Sequence, residues 1–508
     1  MNPLALLDEA CRKRSAAAIF CGDARFDYAG LRDLARAAGR HLESLGARPG
    51  DRVAALFPNC HLYLAVYFAS LLHRFVLVPL NVRLSERELR AILEHSGARL
   101  VIGDPGLAAP LLAGGGQAGH GWIAGPIGAA GPGAAETAGP DARHLYYTSG
   151  TTGRPKGVVL TLENLAAHVD MTLRELRFSA DDAWLHAAPM FHLADAWAVW
   201  TATAAGAAHV LLPRFAPGAA FDLIETHGVT LTNLVPTMLR GLVAEAESRG
   251  RPLPSLRLLL SGGAPIDPGL VARVSALLGC DYAQTYGLTE TSPFLTFSLP
   301  REGQAALPTA EGVRLKARTG RPARGVELRV VQPAGADTFA DVPADDTTVG
   351  EVIARGATVT PGYWRDAAAT RDAFKGGWFH TGDLATLDRH GSINLVDRLK
   401  DVIISGGETV YSTEVENVLY EHPEVREAAV FGVPDETWGE SVRAAVVLAR
   451  ADAAGGEDLV PFCRARLAHY KCPRAVDILI ALPRTGSGKI DKKALREPYW
   501  QGRPRRIN

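Results

Sequence analysis

Between residues 145 and 158 the chain reads LYYTSGTTGRPKGV. A short apolar run breaks into Thr148, Ser149, Gly150, Thr151, Thr152 and Gly153, passes Arg154, Pro155 and Lys156, and re-enters a β-prone run at Val158. Glycines let backbone amides converge on an anion, hydroxyls donate further bonds, and a lysine supplies mobile positive charge. That combination suits the phosphates of a nucleotide. The spacing is not the common GxxxxGK[ST] loop, because Gly157 rather than a hydroxyl residue follows Lys156. A Gly/Thr-rich run also makes a surface turn; the lysine and the flanking strands favour phosphate.

Six further stretches carry residues suited to chemistry. In LLLSGGAPI, Leu258–Ile266, a strand ends in Gly262, Gly263 and Ala264, where bare backbone admits a flat ring or an acyl chain. DYAQTYGLTETS, Asp281–Ser292, presents an aromatic face at Tyr286, then Gly287, a hydroxyl at Thr289 and a carboxylate at Glu290, a hard oxygen donor of the kind magnesium takes. WFHTGDL places Asp383 at a turn, and SINLVDRLKD holds Arg398 and Lys400. SGGETVY contains Gly406, Gly407 and Glu408, which read equally well as a strand-to-helix turn. PRTGSGK presents Lys489 on a Gly/Ser segment, where composition alone would give a solvated basic tail.

Taken together, these motifs resemble the adenylate-forming superfamily of acyl-CoA synthetases, luciferases and peptide-synthetase adenylation domains, over nearly the whole chain. The resemblance implies that the Gly/Thr loop with Lys156 holds ATP phosphates and that residues 262–264 line adenine and the acyl pocket. It sets Tyr286 and Gly287 at the adenine ring, Thr289 on the α-phosphate, and Glu290 with Thr151 at Mg²⁺. Asp383 would bind the ribose hydroxyls and Arg398 the ribose or a nearby phosphate. Lys400 matches the family's hinge residue, and Gly406, Gly407 and Glu408 fall where the pantetheine of coenzyme A passes. Lys489 corresponds to the lysine that stabilises charge during adenylation, a role suited to a long-stemmed point charge.

His192, in PMFHLAD, is a candidate for orienting the acyl carboxylate. In amino-acid-activating relatives an aspartate takes its place; here the nearest is Asp195, three positions on. That departure argues against an amino acid as substrate. An alkyl chain has no use for a buried carboxylate, so Asp195 is expected to turn away from the pocket, the alternative being a polar group on the substrate.

The implied activity is that of an ATP-dependent acyl-CoA synthetase acting on a medium- or long-chain fatty acid. A carboxylate attacks the α-phosphate of ATP, and coenzyme A then takes the acyl group from the adenylate. The alternative is a stand-alone adenylation enzyme that loads a carrier protein. No GxSxG elbow offers a serine nucleophile. ATP, Mg²⁺ and coenzyme A are the cofactors expected.

These residues need a frame. The 508 residues exceed one ordinary core. Short strands at Arg52–Phe57, Phe75–Pro79, Trp184–Ala188, Thr230–Leu234 and Leu256–Leu260 alternate with amphipathic helices, which predicts an α/β domain with parallel sheets. Residues 104–141, rich in Gly, Ala and Pro, read as a loop. From Arg321 the pattern turns β-rich, as in a small barrel or curled sheet. Beyond Asp397–Asp401 it becomes α+β, with a helix over Glu414–Tyr420 that Thr413 and Glu416 could open as a capping box. The expected organisation is an ATP- and acyl-binding domain over 1–397, a hinge at 398–401 and a mobile C-terminal domain over 402–508.

With 54 basic and 55 acidic side chains the chain is balanced, which argues against nucleic acid as a partner. Six dispersed cysteines form no CxxC pair, hence neither a disulfide framework nor a cysteine zinc site. No apolar run of about 18 residues suggests a membrane span, and the expected location is cytoplasmic.

Overall fold

Short, wholly apolar strands fit a sheet covered on both faces, and helical crossovers return the chain to the same sheet end. The computed structural model bears this out. It describes residues 3–127, 142–148, 155–264, 266–300, 310–333, 338–450, 458–485 and 490–501. Two units emerge: Met1–Leu328 with Ala354–Phe379, and Arg329–Ile353 with His380–Asn508.

The first unit is built on two sheets. In the seven-stranded one, Leu100–Gly103, Arg52–Leu56, Val76–Pro79 and Ala142–Thr148 run parallel, and Lys156–Thr161 closes one edge antiparallel. In the nine-stranded sheet, Asp281–Tyr286, Leu258–Gly262, Leu231–Asn233, Ala183–His186, Ala208–Leu211 and Ile19–Cys21 run parallel, with antiparallel pairs at both edges. The sheets are therefore mixed, parallel at the centre and antiparallel at the rims.

One face of the nine-stranded sheet sends Leu185, Val210, Leu234 and Leu259 into a core shared with helices Pro217–His227 and Pro236–Arg249. The other face presents Trp184, His186 and Asn233 to helix Leu193–Ala205.

Residues 104–141 are not all loop. Helix Pro105–Ala108 opens on Asp104, and strands Gln117–Ala118 and Ile123–Pro126 extend the seven-stranded sheet antiparallel. Edge strands this short carry almost no periodic signal, and main-chain bonding to Leu100–Gly103 rather than side-chain pattern defines them. Residues 128–141 lie outside the described residues.

In the second unit the β-rich stretch gives antiparallel ladders, Val331↔Asp341 and Asp383↔Arg398 among their pairs. A five-stranded sheet follows, built on the long hairpin Val425–Asp435 and Gly439–Leu448. Helix Ser412–Tyr420 packs Val415 and Leu419 on this sheet. The expected Thr413–Glu416 capping box does not form. The helix starts at Ser412, while Glu416 accepts the Val430 amide at 2.7 Å and pairs with Lys492 at 2.7 Å. A charge brought from far along the chain outcompetes a local cap. No helix among the described residues is long and apolar enough to cross a membrane.

Candidate active site

Strand register brings the flanks of the Gly/Thr loop together, with Thr148 opposite Lys156. Ser149, Gly150, Thr151, Thr152 and Gly153 lie outside the described residues, so the expected phosphate and Mg²⁺ contacts of that loop concern positions the structure does not describe. What it does describe is how Lys156 is held. Its Nζ stands 5.0 Å from the centroid of the Tyr363 ring, a cation–π contact.

Tyr363 in turn donates its hydroxyl to Glu290 Oε1 at 2.9 Å. Burial, then the Glu290 carboxylate, push the phenol above its ordinary range, so it stays protonated and remains a donor. The stretch that delivers Tyr363 is laced to the loop's outgoing strand. Trp364 N donates to Gly157 O at 2.7 Å, Val159 N to Gly362 O at 3.1 Å, and Thr360 Oγ1 to Val159 O at 2.6 Å. Thr360 N also donates to Glu290 O at 2.7 Å. Lys156 and Glu290, expected from separate motifs, are thus joined by a residue that no motif singled out. The signal available was weak: Pro361 and Gly362 mark a turn, and two aromatic residues follow.

Glu290 is buried within a single 3-10 turn, Thr289–Thr291, which Thr291 fastens by accepting the Leu288 amide at 2.9 Å. Tyr286 is buried at the end of its strand and accepts Leu295 N at 2.8 Å. Two glycines are closely packed by neighbouring protein atoms. A Cβ on Gly287 would stand 1.7 Å from Pro293 O, and one on Gly262 would stand 2.5 Å from Thr285 Oγ1. Both are required by close packing whatever else approaches them. Ala264 O accepts Gln284 Nε2 at 2.9 Å.

His192 caps helix Leu193–Ala205, its Nδ1 accepting Ala194 N at 3.1 Å. Asp195 points into the protein interior. It is fully buried and faces His186 Nδ1 at 2.7 Å and Trp184 Nε1 at 3.4 Å. His186 Nε2 meets His209 Nδ1 at 2.9 Å, and His209 Nε2 meets Thr203 Oγ1 at 3.0 Å. Thr203 has one hydroxyl proton and gives it to Val199 O at 2.8 Å. His209 Nε2 then donates to Thr203, and its neutral ring accepts at Nδ1 from His186 Nε2, so both of these bonds point toward Thr203. The Asp195–His186 pair therefore holds two protons, and either carries no charge or carries one of each sign. Burial raises the Asp195 carboxyl against the pull of His186, which favours the uncharged form.

The second unit places its own set. Asp383 is buried and meets the exposed Arg398 guanidinium, Nε 3.3 Å from Oδ1, across the ladder that pairs them. Lys400 sits in the turn Leu399–Asp401, its ammonium pulled down by burial and then by Arg398. Asp401 receives Arg496 Nη1 at 2.9 Å, and Asp397 receives Ser412 Oγ at 2.8 Å. Lys492 Nζ donates to Ser412 Oγ at 2.7 Å.

Gly406 and Gly407 form a two-residue turn between strands Ile403–Ser405 and Glu408–Val410, with φ of 63° and 85°. Positive φ at both central positions is what such a hairpin needs, so this is a strand-to-strand turn rather than a strand-to-helix one. A Cβ at Gly406 would stand 2.5 Å from the Trp438 ring. Lys489 lies outside the described residues; helix Lys492–Trp500 begins just beyond it, capped by Asp491.

The carboxylate–phenol–ammonium array suits one magnesium ion shared with phosphates. Glu290 is a hard oxygen donor, and among the described residues no cluster of three or more His, Cys, Asp or Glu could cage a metal. Mg²⁺ characteristically takes one or two carboxylates and fills its shell with phosphate and water.

The AMP-binding enzyme family matches residues 7–364, and the AMP-binding enzyme C-terminal domain matches residues 414–489. A feruloyl-CoA synthase of Amycolatopsis is 40% identical, over 95% of this chain and 96% of its own. A long-chain-fatty-acid–CoA ligase of Thermus thermophilus is 38% identical, over 96% and 93%. The solved o-succinylbenzoate CoA synthetase of Bacillus subtilis, in complex with its acyl-adenylate, superposes with a TM-score of 0.82 at 29% identity, covering 96% of this chain and 97% of that one. The same synthetase has been solved with ATP and a magnesium ion.

Proposed function

Since the chain belongs to the AMP-binding enzyme family, within the adenylate-forming superfamily, we propose that it is an AMP-forming acid–CoA ligase. It activates a carboxylic acid with ATP, releases pyrophosphate, and passes the acyl group to coenzyme A. The observation that carries this reading is the Lys156–Tyr363–Glu290 array beside the Gly/Thr loop. Near-full-length relatives named as CoA ligases support it.

In the first half-reaction the acid's carboxylate oxygen attacks the α-phosphorus and the bond to pyrophosphate breaks. Lys156 and the loop hydroxyls bind phosphate oxygens, Thr289 donates to the α-phosphate, and Tyr286 and Asp383 bind the nucleoside. Glu290, with Thr151, would hold Mg²⁺, which supplies charge neutralisation on the phosphates when bound. Lys489 stabilises the developing charge, and His192 orients the carboxylate. In the second half-reaction the thiolate of coenzyme A attacks the acyl carbonyl and AMP leaves. Water must be kept from the adenylate and a thiol admitted, a change assigned to movement at residues 398–401, with Gly406 and Gly407 along the thiol's path.

The expected fatty-acid substrate shares the ground with aryl acids, since the relatives include a feruloyl-CoA synthase as well as a long-chain-fatty-acid ligase. The test is AMP formation with MgATP across aliphatic and aryl acids, with coenzyme A or a carrier protein as acceptor. Thioester on free coenzyme A is the expected result. Thioester only on a carrier protein would replace this reading.

A further inference from the structure

Behind helix Leu193–Ala205, three side chains converge on one indole. Trp197 Nε1 donates to Ala194 O at 3.0 Å, and Asn233 Nδ2 donates to the same oxygen at 2.7 Å. The Trp197 ring also meets His168, edge to face with centroids 5.5 Å apart, and Phe294 at 5.1 Å. His168 also lies 5.7 Å from Phe294. Asn233 ends its strand at the carboxyl edge of the nine-stranded sheet, in register with Leu260 and so two residues from Gly262. Ligands of open α/β sheets collect at that edge.

This cluster is buried but not satisfied. Asn233 is 5% exposed and His168 is 1% exposed. Among the described residues Asn233 Oδ1 has no hydrogen-bond partner, and neither ring nitrogen of His168 has one. Fixing Nδ2 on Ala194 O fixes the amide orientation, so the orphaned atom is an acceptor. Burial holds the His168 imidazole down at about 3 and therefore neutral, with one N–H donor and one acceptor. A buried polar atom left unpaired is costly, and native interiors rarely keep one without a use. An alkyl chain seated here would leave all of these unmet. A hydroxyl both donates and accepts, and a flat ring matches the aromatic walls.

We propose that Asn233 and His168 are specificity-determining residues that read a ring hydroxyl on the substrate, so that the acid activated is a hydroxylated aryl acid rather than a fatty acid. The hydroxyl donates to Asn233 Oδ1, and His168 N–H donates to an oxygen of the same ring. This rests on the acid–CoA ligase reading and narrows it.

The experiment compares the full-length protein on 3-phenylpropenoate, its 4-hydroxy counterpart and octanoate, following AMP release with MgATP and coenzyme A. The expected kcat/KM for the hydroxylated acid exceeds that for the unsubstituted one by about tenfold or more, as sites built to bond a hydroxyl reject its absence. Asn233→Leu should erase that preference while turnover of 3-phenylpropenoate persists. His168→Phe, which keeps the aromatic packing, should weaken it independently if Asn233→Leu does not fold. Equal wild-type kcat/KM for the two phenylpropenoates, a preference for octanoate, or a preference unchanged in both variants would overturn the assignment. AMP formation with none of the acids would instead overturn the ligase reading, and this one with it.

Discussion

The Tyr363 hydroxyl lies 2.9 Å from Glu290 Oε1, joining residues 73 positions apart in the chain. The same ring carries the Lys156 ammonium. Tyr363 therefore sets the spacing between an anionic and a cationic arm of the site without any charge of its own. Tyr363→Phe keeps the ring and removes one bond to a carboxylate, worth about 1.5 to 3 kcal/mol. The expected outcome is a fall of about tenfold in kcat/KM for MgATP, measured by pyrophosphate release, with a higher magnesium requirement. An unchanged magnesium dependence would mean that Glu290 is positioned by other contacts.

Asp195 supplies a test of the buried proton chain. If the Asp195–His186 pair is uncharged, Asp195→Asn preserves every bond, because the amide N–H replaces the carboxyl O–H. Its unfolding free energy should stay within about 1 kcal/mol of wild type. Asp195→Ala orphans His186 and leaves a cavity, and about 3 kcal/mol or more should be lost. Equal loss in both variants would identify a true ion pair. Neither change should alter which acids are used, since the Asp195 carboxyl is engaged by His186 and Trp184.

Acid sensitivity should follow from two histidines. Burial, with Arg143 adding for His144, holds His144 and His168 at about 3. Both are below the ordinary value of 6.5. The unfolded chain then binds more protons, so their stabilisation is complete above about pH 6.5 and lost progressively as pH falls toward 3. Each group contributes a slope of roughly 1.4 kcal/mol per pH unit within that window. Urea titrations between pH 4 and 7 should show a shallower pH dependence for His168→Phe and for His144→Phe. Slopes identical to wild type would show that the imidazoles protonate in the folded state.

In the second unit, Lys492 is a half-buried cation between Glu416 and Ser412. Burial pulls its ammonium down, but Glu416, Asp397 and Asp401 outweigh that and leave it raised. Lys492→Met should destabilise by about 1.5 to 3 kcal/mol by removing the cation bonded to Glu416. Adding Glu416→Gln should restore much of the loss, as measured by thermal unfolding. No recovery in the double variant would place the cost elsewhere.

The alternation of strands and helices in the first unit was legible because period and length agree there, as at Val76–Pro79 and Glu86–Ser96. Ile123–Pro126 was not, since an edge strand of four residues is defined by its neighbour's backbone. Lys156, Glu290 and Asp383 could be picked out because each sits in a run of several informative residues. Tyr363, Asn233 and His168 could not. Each is one ordinary residue whose meaning comes from partners distant in sequence. Gly287 was expected for an adenine ring, and its immediate constraint proves to be Pro293 O.

The most direct test of the account omits coenzyme A altogether. Exchange of labelled pyrophosphate into ATP, with wild type and Lys489→Ala, isolates the first half-reaction. The account predicts exchange that requires an added carboxylic acid and is nearly lost in Lys489→Ala, while that variant still forms thioester from supplied acyl-adenylate and coenzyme A. Exchange with no acid of an aliphatic, aryl and hydroxylated panel would contradict it.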